Sequence, residues 1–393
     1  MTNCCTELNR KVIITAPSLD PTQNVSGVSS VAQFIIGNNK KCDYLHFQIG
    51  KTDSESGGVW SRVKRIWHTY SDWKKLLADN KDATIHYSFP LSAPSILRDP
   101  WFMWYALRQG RKMVVHVHGG LFLTSPKIPL LLEKILKWVF SWDVTFIVLS
   151  VGEKETLQKR YGARRVEVLA NCPDAPKGNE TQSEIAAPAC WLSQSEATER
   201  TIREHGSLRY GASAYDNLVL GYIGRIEPNK GMTELLEAMT RCREEGMQVK
   251  VRFAGKEERE GEFIPKYQEA LGGSFEYCGL VSGQKKEEFI KSLDAFVMPT
   301  YFEGLPMSLL ETMAYGVVPV VTNVGSIGTV VKDGENGIFV KVRDVDSIVE
   351  AIRRLDTDRE LLASLRENAR KTIKENFSAA KYVEKLNSIY EGL

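Results

Sequence analysis

Short runs of β-branched and other apolar residues alternate along the chain with longer stretches in which apolar positions recur every three or four residues. The first pattern, little broken by polar residues, is that of strands covered on both faces in a parallel sheet; the second is that of amphipathic helices. In the first half the strand candidates are 11–16, 44–49, 84–88, 113–117, 145–149 and 166–169, with helical periodicity over 28–37 and 130–140. The second half repeats the scheme, with strands at 218–223, 250–254, 275–277, 295–298, 317–322 and 337–340. Helices are predicted there over 232–245, 285–293, 306–315 and 345–355. Such alternation predicts α/β units with helices on both faces of a parallel sheet.

The alternation breaks once. Residues 176–217 contain a stretch rich in Pro, Asn, Ser and Ala and then a polar, poorly periodic run, which reads as a linker. It divides the chain into a first domain at 1–175 and a second at 218–375, each doubly wound. Near the carboxyl end Tyr382, Leu386, Ile389 and Tyr390 fall at helical spacing, so 376–393 forms one more amphipathic helix. Sheets of this kind bind ligands outside the carboxyl ends of their strands, so a cleft between the two domains is expected to hold the site.

Composition narrows the function classes. The 393 residues, 43% hydrophobic and 25% charged, have the balance of a globular protein in water. A formal charge of +2 argues against a broad phosphate-gripping face for nucleic acid. Seven cysteines, an odd number without a C-x-x-C pair, fit a reducing compartment and neither a disulfide framework nor a structural zinc. The start lacks a basic segment followed by an apolar core, and no run approaches the ~18 apolar residues of a membrane span. A cytoplasmic protein is expected, at most resting on the inner face of the membrane. That last idea comes from residues 60–75, where Trp60, Trp67 and Trp73 lie among five Arg and Lys against Asp72, and from Trp101, Trp104, Trp138 and Trp142 with their basic neighbours. Tryptophan interleaved with basic residues suits an anionic lipid surface; helices packing tryptophan inward beneath a solvated basic face would read the same.

The densest chemical signal is the stretch 296–340, FVMPTYFEGLPMSLLETMAYGVVPVVTNVGSIGTVVKDGENGIFV. A strand runs into the loop TYFEGL and then a helix opening near Pro306, where a missing N–H costs nothing. That loop and first turn offer free backbone N–H groups and the positive end of a helix dipole, which suit a pyrophosphate, with the Ser308 hydroxyl as a further donor. Glu303 lies in the loop, and Glu311, eight positions on, sits among Leu309, Leu310, Met313 and Ala314. A carboxylate in apolar company needs partners, and two vicinal ribose hydroxyls would serve; two solvated surface carboxylates are the plain alternative.

A second anion grip lies in 220–231, LGYIGRIEPNKG, where Arg225 and Lys230 follow a strand ending at Gly224. Arg supplies a planar fork and Lys a mobile point charge for anionic oxygens; two solvated loop cations would be the bland account. In the first half, Ser26-Gly27 opens a helix, as a simple N-cap would too. His116 and His118 share one face at a strand end, without an evident third metal ligand. Ser150 and Lys154 follow the fifth strand without a defined role.

These motifs together resemble the signature of the retaining glycosyltransferases of family 4, also called group 1. The E-x7-E pair is Glu303 and Glu311, the EG-[LF] loop is Glu303-Gly304-Leu305, and the MA-x-G-x-PVV and V-x-DG-x-NG segments run from Met313 to Val321 and from Val331 to Gly337. The G-R-x4-KG motif is 224–231. The resemblance implies a GT-B fold, with two Rossmann-like domains facing a cleft and the last helix crossing back to the first domain. It implies that Arg225 and Lys230 stabilise a departing diphosphate, that Glu303 and His118 hold the transferred sugar, and that Leu280 and Val281 border the nucleobase. Gly27, Gly224, Gly304, Leu305, Pro306, Met307, Ser308 and Glu311 complete the donor side. It further implies a UDP- or GDP-sugar donor, a glycan or lipid-linked acceptor, work in surface polysaccharide assembly (lipopolysaccharide, O-antigen or capsule), and no metal or other cofactor. Nucleotide-sugar 2-epimerases share the fold, so conversion of donor without acceptor is the rival activity; a non-catalytic nucleotide-sugar scaffold is a third reading.

Overall fold

A computed structural model describes residues 9–20, 24, 26–50, 59–125, 127–176 and 217–393. The predicted linker 176–217 therefore lies, apart from its two ends, outside the described residues. The first domain runs β1 (Arg10–Ala16), α1 (Gly27–Asn38), β2 (Cys42–Gln48), α2 (Val59–Asp79), β3 (Thr84–Phe89), α3 (Ala93–Arg108), β4 (Met113–Val117), α4 (Leu121–Thr124), α5 (Leu130–Phe140), β5 (Thr145–Val148), α6 (Val151–Tyr161) and β6 (Arg165–Val168). The second runs β7 (Leu218–Ile223), α7 (Met232–Glu244), β8 (Val249–Ala254), α8 (Ile264–Leu271), β9 (Phe275–Tyr277), α9 (Gly283–Lys291), β10 (Ala295–Met298), α10 (Met307–Ala314), β11 (Val318–Thr322) and β12 (Ile338–Val340), followed by α11 (Val345–Thr357) and α12 (Arg359–Asn376). The chain ends on α13 (Ala379–Glu391).

Each domain is a six-stranded sheet, all of its pairings parallel, with strand orders β2-β1-β3-β4-β5-β6 and β12-β11-β10-β7-β8-β9. The central strands β3, β4, β10 and β11 are buried at every residue, which is why β10 and most of β11 read as apolar runs, while β3 and β4 bury His86, Ser88 and His116 among their apolar residues. In the first sheet the order reverses between β1 and β3, in the second between β7 and β10. Chains leaving such neighbouring strands turn to opposite faces and leave a crevice at the strands' carboxyl ends. The two crevices meet: the loops after β1, β3, β7 and β10 all contribute to one cleft.

The helix α13 packs not on the domain that precedes it but on the first. Tyr382, Leu386, Ile389 and Tyr390 join Val12 and Ile14 of β1 and Val31, Phe34 and Ile35 of α1 in one buried cluster. Burying a large apolar side chain fully is worth about 1.5–3 kcal/mol, and Leu386 is wholly buried. Polar contacts fix the seam as well: Asn39 Nδ2 donates to Asn387 Oδ1 at 2.9 Å, and the reciprocal bond measures 3.2 Å. Phe377, between α12 and α13, touches the cores of both domains.

Two elements depart from the sequence expectation. Pro306 does not open α10 but precedes it as the cap residue, so the helix starts one residue later, at Met307. In α2 the tryptophans divide: Trp73 is buried, its Nε1 donating to the Phe102 carbonyl at 3.0 Å, whereas Trp60 and Trp67 face outward.

Candidate active site between the domains

The cleft has a volume of about 1310 Å³ and is lined from both sides. On the second domain, β7 ends at Ile223, and the turn that follows presents Gly224, Arg225 and Lys230 before α7 begins. Beside it, the loop after β10 carries Glu303, whose Oε1 accepts from Lys230 Nζ. Both side chains of this pair keep less than a fifth of their surface exposed, so the ion pair is held close rather than left to solvent. The next turn is the opening of α10. No side chain caps it, so the N–H groups of Met307, Ser308 and Leu309 have no partner of that kind, and Pro306, Met307 and Ser308 line the cleft. One turn deeper, Glu311 accepts from Lys286 of α9 at 2.7 Å. Leu280 and Val281 form the wall between β9 and α9.

On the first domain the wall is made by the start of α1, by Pro90, Leu91 and Ser92 after β3, and by His118, Gly119 and Gly120 after β4. Ser26 is the N-cap of α1 and its hydroxyl accepts from the Ser29 N–H, so the plain capping account holds for this residue; Gly27 beside it lines the cleft. Two helix openings, those of α1 and α10, thus border the same space.

Behind His118 lies a buried polar stack. Its ring lies 4.3 Å from that of His116, nearly parallel. His116 Nδ1 is within 3.1 Å of His86 Nε2, and His86 Nδ1 within 2.8 Å of the Tyr390 hydroxyl on α13. Among the described residues, the Nε2 atoms of His116 and His118 have no hydrogen-bond partner. Among the described residues, no group of three His, Cys, Asp or Glu side chains is placed to hold a metal.

Burial lowers the pKa of His86 and of His118 to about 3, and that of His116 well below its usual value. At neutral pH His118 therefore meets the cleft as an uncharged imidazole. The sign of the effect on stability follows. Unfolding returns each ring to its ordinary value of 6.5, so between about pH 3 and 6.5 the unfolded chain binds more protons than the folded one. Stability is expected to be fully present above pH 6.5 and to fall as the pH drops through that window. Urea midpoints at pH 7.5, 6 and 5 should decline, and a His86→Phe variant should show a shallower decline; a wild-type midpoint flat from pH 7.5 to 5 would contradict this.

The two walls also touch. Gly119 has φ +70°, and a Cβ placed there would lie 2.6 Å from the Gly304 Cα. A Cβ on Gly304 would in turn lie 2.7 Å from the His118 carbonyl oxygen. Backbone meets backbone, in an arrangement that only glycine permits on both sides. Two side chains bridge the same seam: Asn171 Nδ2 donates to the Leu305 carbonyl at 2.7 Å, and Ser326 Oγ donates to Glu153 Oε1 at 3.1 Å. Glu153 is anchored on its own side by the Leu149 N–H at 2.8 Å.

Of the residues singled out in the sequence, Gly27, His118, Gly224, Arg225, Lys230, Leu280, Val281, Glu303, Pro306, Met307, Ser308 and Glu311 all line the cleft. Gly304 and Leu305 do not. Gly304 is spent on the contact with Gly119, and the Leu305 side chain is buried in the core of the second domain. Ser150 serves as the N-cap of α6. Sequence reasoning passed over Lys286, which looks like any helix-surface lysine until α9 and α10 are set side by side. It also passed over Glu153 and Asn171, whose partners lie in the other domain.

Comparison with known proteins agrees with this architecture. Residues 211–372 match the family model described as glycosyl transferases group 1. The capsular polysaccharide biosynthesis glycosyltransferase CapM of Staphylococcus aureus is 32% identical over 183 residues, covering 46% of this chain and 48% of that protein. An Escherichia coli UDP-Gal:alpha-D-GlcNAc-diphosphoundecaprenol alpha-1,3-galactosyltransferase is 32% identical over 101 residues, 26% of each chain. The chain thus spans about half or less of the length of these relatives. Among solved structures, Anabaena HepE in complex with UDP-glucose superposes with a TM-score of 0.68 over 98% of this chain and 100% of its own, at 14% identity, which shows the shared fold.

Proposed function

We propose that this chain, which carries a glycosyl transferases group 1 domain at residues 211–372, transfers a sugar from a nucleoside-diphosphate donor to a glycan or lipid-linked acceptor with retention of configuration. One observation supports this above the rest. Arg225, Lys230, Glu303, Glu311 and the uncapped first turn of α10 share one wall of a cleft whose other wall carries His118. The wall of the second domain combines fixed cations with free N–H groups, which suits a diphosphate whose charge grows as it leaves. Arg225 and Lys230 supply that charge from the protein itself, so the reading calls for no metal. Glu311 suits ribose hydroxyls, and Glu303 with neutral His118 suits the hydroxyls of the sugar. The acceptor hydroxyl attacks the anomeric carbon on the face from which the diphosphate departs, so no side chain is assigned as a nucleophile. Closure of the two walls on bound substrates would expel water from the reaction space.

HepE is solved with UDP-glucose, and the E. coli relative is named for a UDP-sugar and an undecaprenol-linked acceptor. CapM is named for capsule biosynthesis. Those names favour a UDP-sugar over a GDP-sugar and surface polysaccharide as the product. An acceptor anchored in lipid has to be met at a bilayer surface, which would place the protein at the inner face of the cytoplasmic membrane.

Thermal unfolding with UDP, GDP and their sugars tests the donor side. A ligand at a hundredfold its Kd adds about 2.7 kcal/mol, and UDP is expected to raise the midpoint most. Should none of these compounds raise it, the reading falls. Incubating the stabilising donor without acceptor separates the rivals, because an epimerase would convert it and a transferase would not.

A further inference from the structure

The first domain carries an apolar surface away from the cleft walls that the described residues leave exposed. On α2, Trp73 and Leu77 are buried near the carboxyl end, whereas towards the amino end another face carries Trp60, 86% exposed, and Trp67, 74% exposed, with Val63 and Ile66 exposed as well. The outward face of α3 carries Leu97, Trp101 and Trp104, of which Trp101 is 58% exposed. On the neighbouring α5, Leu130, Leu131 and Trp138 face solvent, and the Trp101 and Trp138 rings stand 6.0 Å apart. Tyr70 links α2 to this group by edge contacts with Phe102 at 5.2 Å and Tyr105 at 5.8 Å. Large uncovered apolar patches on soluble domains mark places of interaction.

Charge identifies the partner. Across α2, α3 and α5 there are nine Arg and Lys against four Asp and Glu, a surplus of five in a chain whose whole formal charge is +2. The positive surplus of the protein is therefore gathered on the helices that bear the exposed tryptophans. Two of the four acids are already engaged: Asp99 with Arg98, and Glu133 with Lys137 and Arg160. Arg108 lies over the Trp104 ring at 5.3 Å, and Lys74 over Tyr70 at 4.6 Å, so cations and aromatic faces alternate. Long basic side chains reaching past indole rings is the arrangement that places rings at the headgroup level and cations on anionic phosphates.

We infer that the outer face of α2, α3 and α5 docks on an anionic lipid bilayer. No helix among the described residues is long and apolar enough to cross it, so the contact is superficial. The face adjoins the first-domain wall of the cleft: Ser92, which caps α3, lines the cleft, and α5 follows the chain that leaves it at Gly120. Docking would bring that wall to the membrane, where, on the function proposed above, a lipid-borne acceptor would be presented. The surface itself does not depend on that function.

The test uses the full chain and two vesicle preparations, one of phosphatidylcholine alone and one with about a third phosphatidylglycerol, compared by co-sedimentation. The chain is expected to sediment with the anionic vesicles, to be largely released by 0.5 M salt, and to bind neutral vesicles at least tenfold more weakly. Both Trp67→Ser/Trp101→Ser and Lys134→Glu/Lys137→Glu should weaken the anionic binding about tenfold or more while leaving stabilisation by UDP or GDP unchanged. The inference is overturned if wild type ignores anionic vesicles, if both double variants bind them as wild type does, or if sizing shows a dimer that the tryptophan variant dissolves. Loss of vesicle binding with nucleotide stabilisation intact bears on the docking face alone; loss of nucleotide stabilisation in wild type bears on the function alone.

Discussion

Lys230→Ala is expected to lower the turnover number of sugar transfer by about two to three orders of magnitude at saturating donor, the cost of removing one preorganised group aimed at growing charge. The expectation follows from where Lys230 stands. It is already drawn onto Glu303 and largely shielded from water, so it needs little rearrangement to meet the departing diphosphate. Truncating it also strands Glu303 without its cation, so the two residues should not behave independently. In a double-mutant cycle, Lys230→Ala combined with Glu303→Gln should lose less than the product of the single losses. Lys285→Ala, on an exposed lysine of α9, serves as the control and should transfer at the wild-type rate. Initial-rate kinetics on these four variants and wild type decide the matter; a Lys230→Ala enzyme within threefold of wild type would remove the central role given to the turn after β7.

Gly119→Val should produce a comparable loss by another route. The residue sits at φ +70°, and any Cβ there would press to 2.6 Å from the Gly304 backbone. Valine must therefore push the two walls apart, and a displacement of about 1 Å at a reacting centre costs on the order of a hundredfold in rate. Arg225, Lys230, Glu311 and the opening of α10, which the proposal gives to the nucleotide, lie on the second domain, so binding of UDP or GDP should survive while kcat collapses. Calorimetry with UDP, rates, and small-angle scattering for the opened shape would test this. Rates that hold at the wild-type level, or rates and affinity falling in step, would mean that the contact at Gly119 is not what assembles the site.

Much of this molecule could be read from the chain alone, and the reason is physical. Short, mostly apolar runs of buried strands stand out against the helical periodicity around them, so β4, β7 and β10 fall where the pattern put them to the residue, as does the exposed edge strand β9, and the other eight fall within two residues at either end. The helices that went unassigned are those whose pattern is diluted. In α3, Pro94 and Pro100 break the apparent periodicity and three outward apolar residues blur its polar face. In α12 the apolar stripe Leu362, Leu365, Ala369 and Ile373 is narrow within a highly charged sequence. The site was legible where its chemistry is local, as in Gly224 to Lys230 or Glu303 to Glu311. It was illegible where partners come from afar: Lys230 with Glu303, Lys286 with Glu311, and above all His86 with Tyr390, which stand 304 residues apart. The sharing of Gly119 and Gly304 between two domains has no signature in either segment, since a lone glycine in a loop reads as a turn.

The return of α13 to the first domain has a practical consequence for anyone cutting the molecule in two. The amino-terminal half expressed alone would expose the strip of β1 and α1 that Tyr382, Leu386 and Ile389 cover, and a tag fused behind Leu393 would sit against that half rather than the one it follows. A synthetic peptide of the final sixteen residues, supplied in trans, is the natural chaperone for such a fragment.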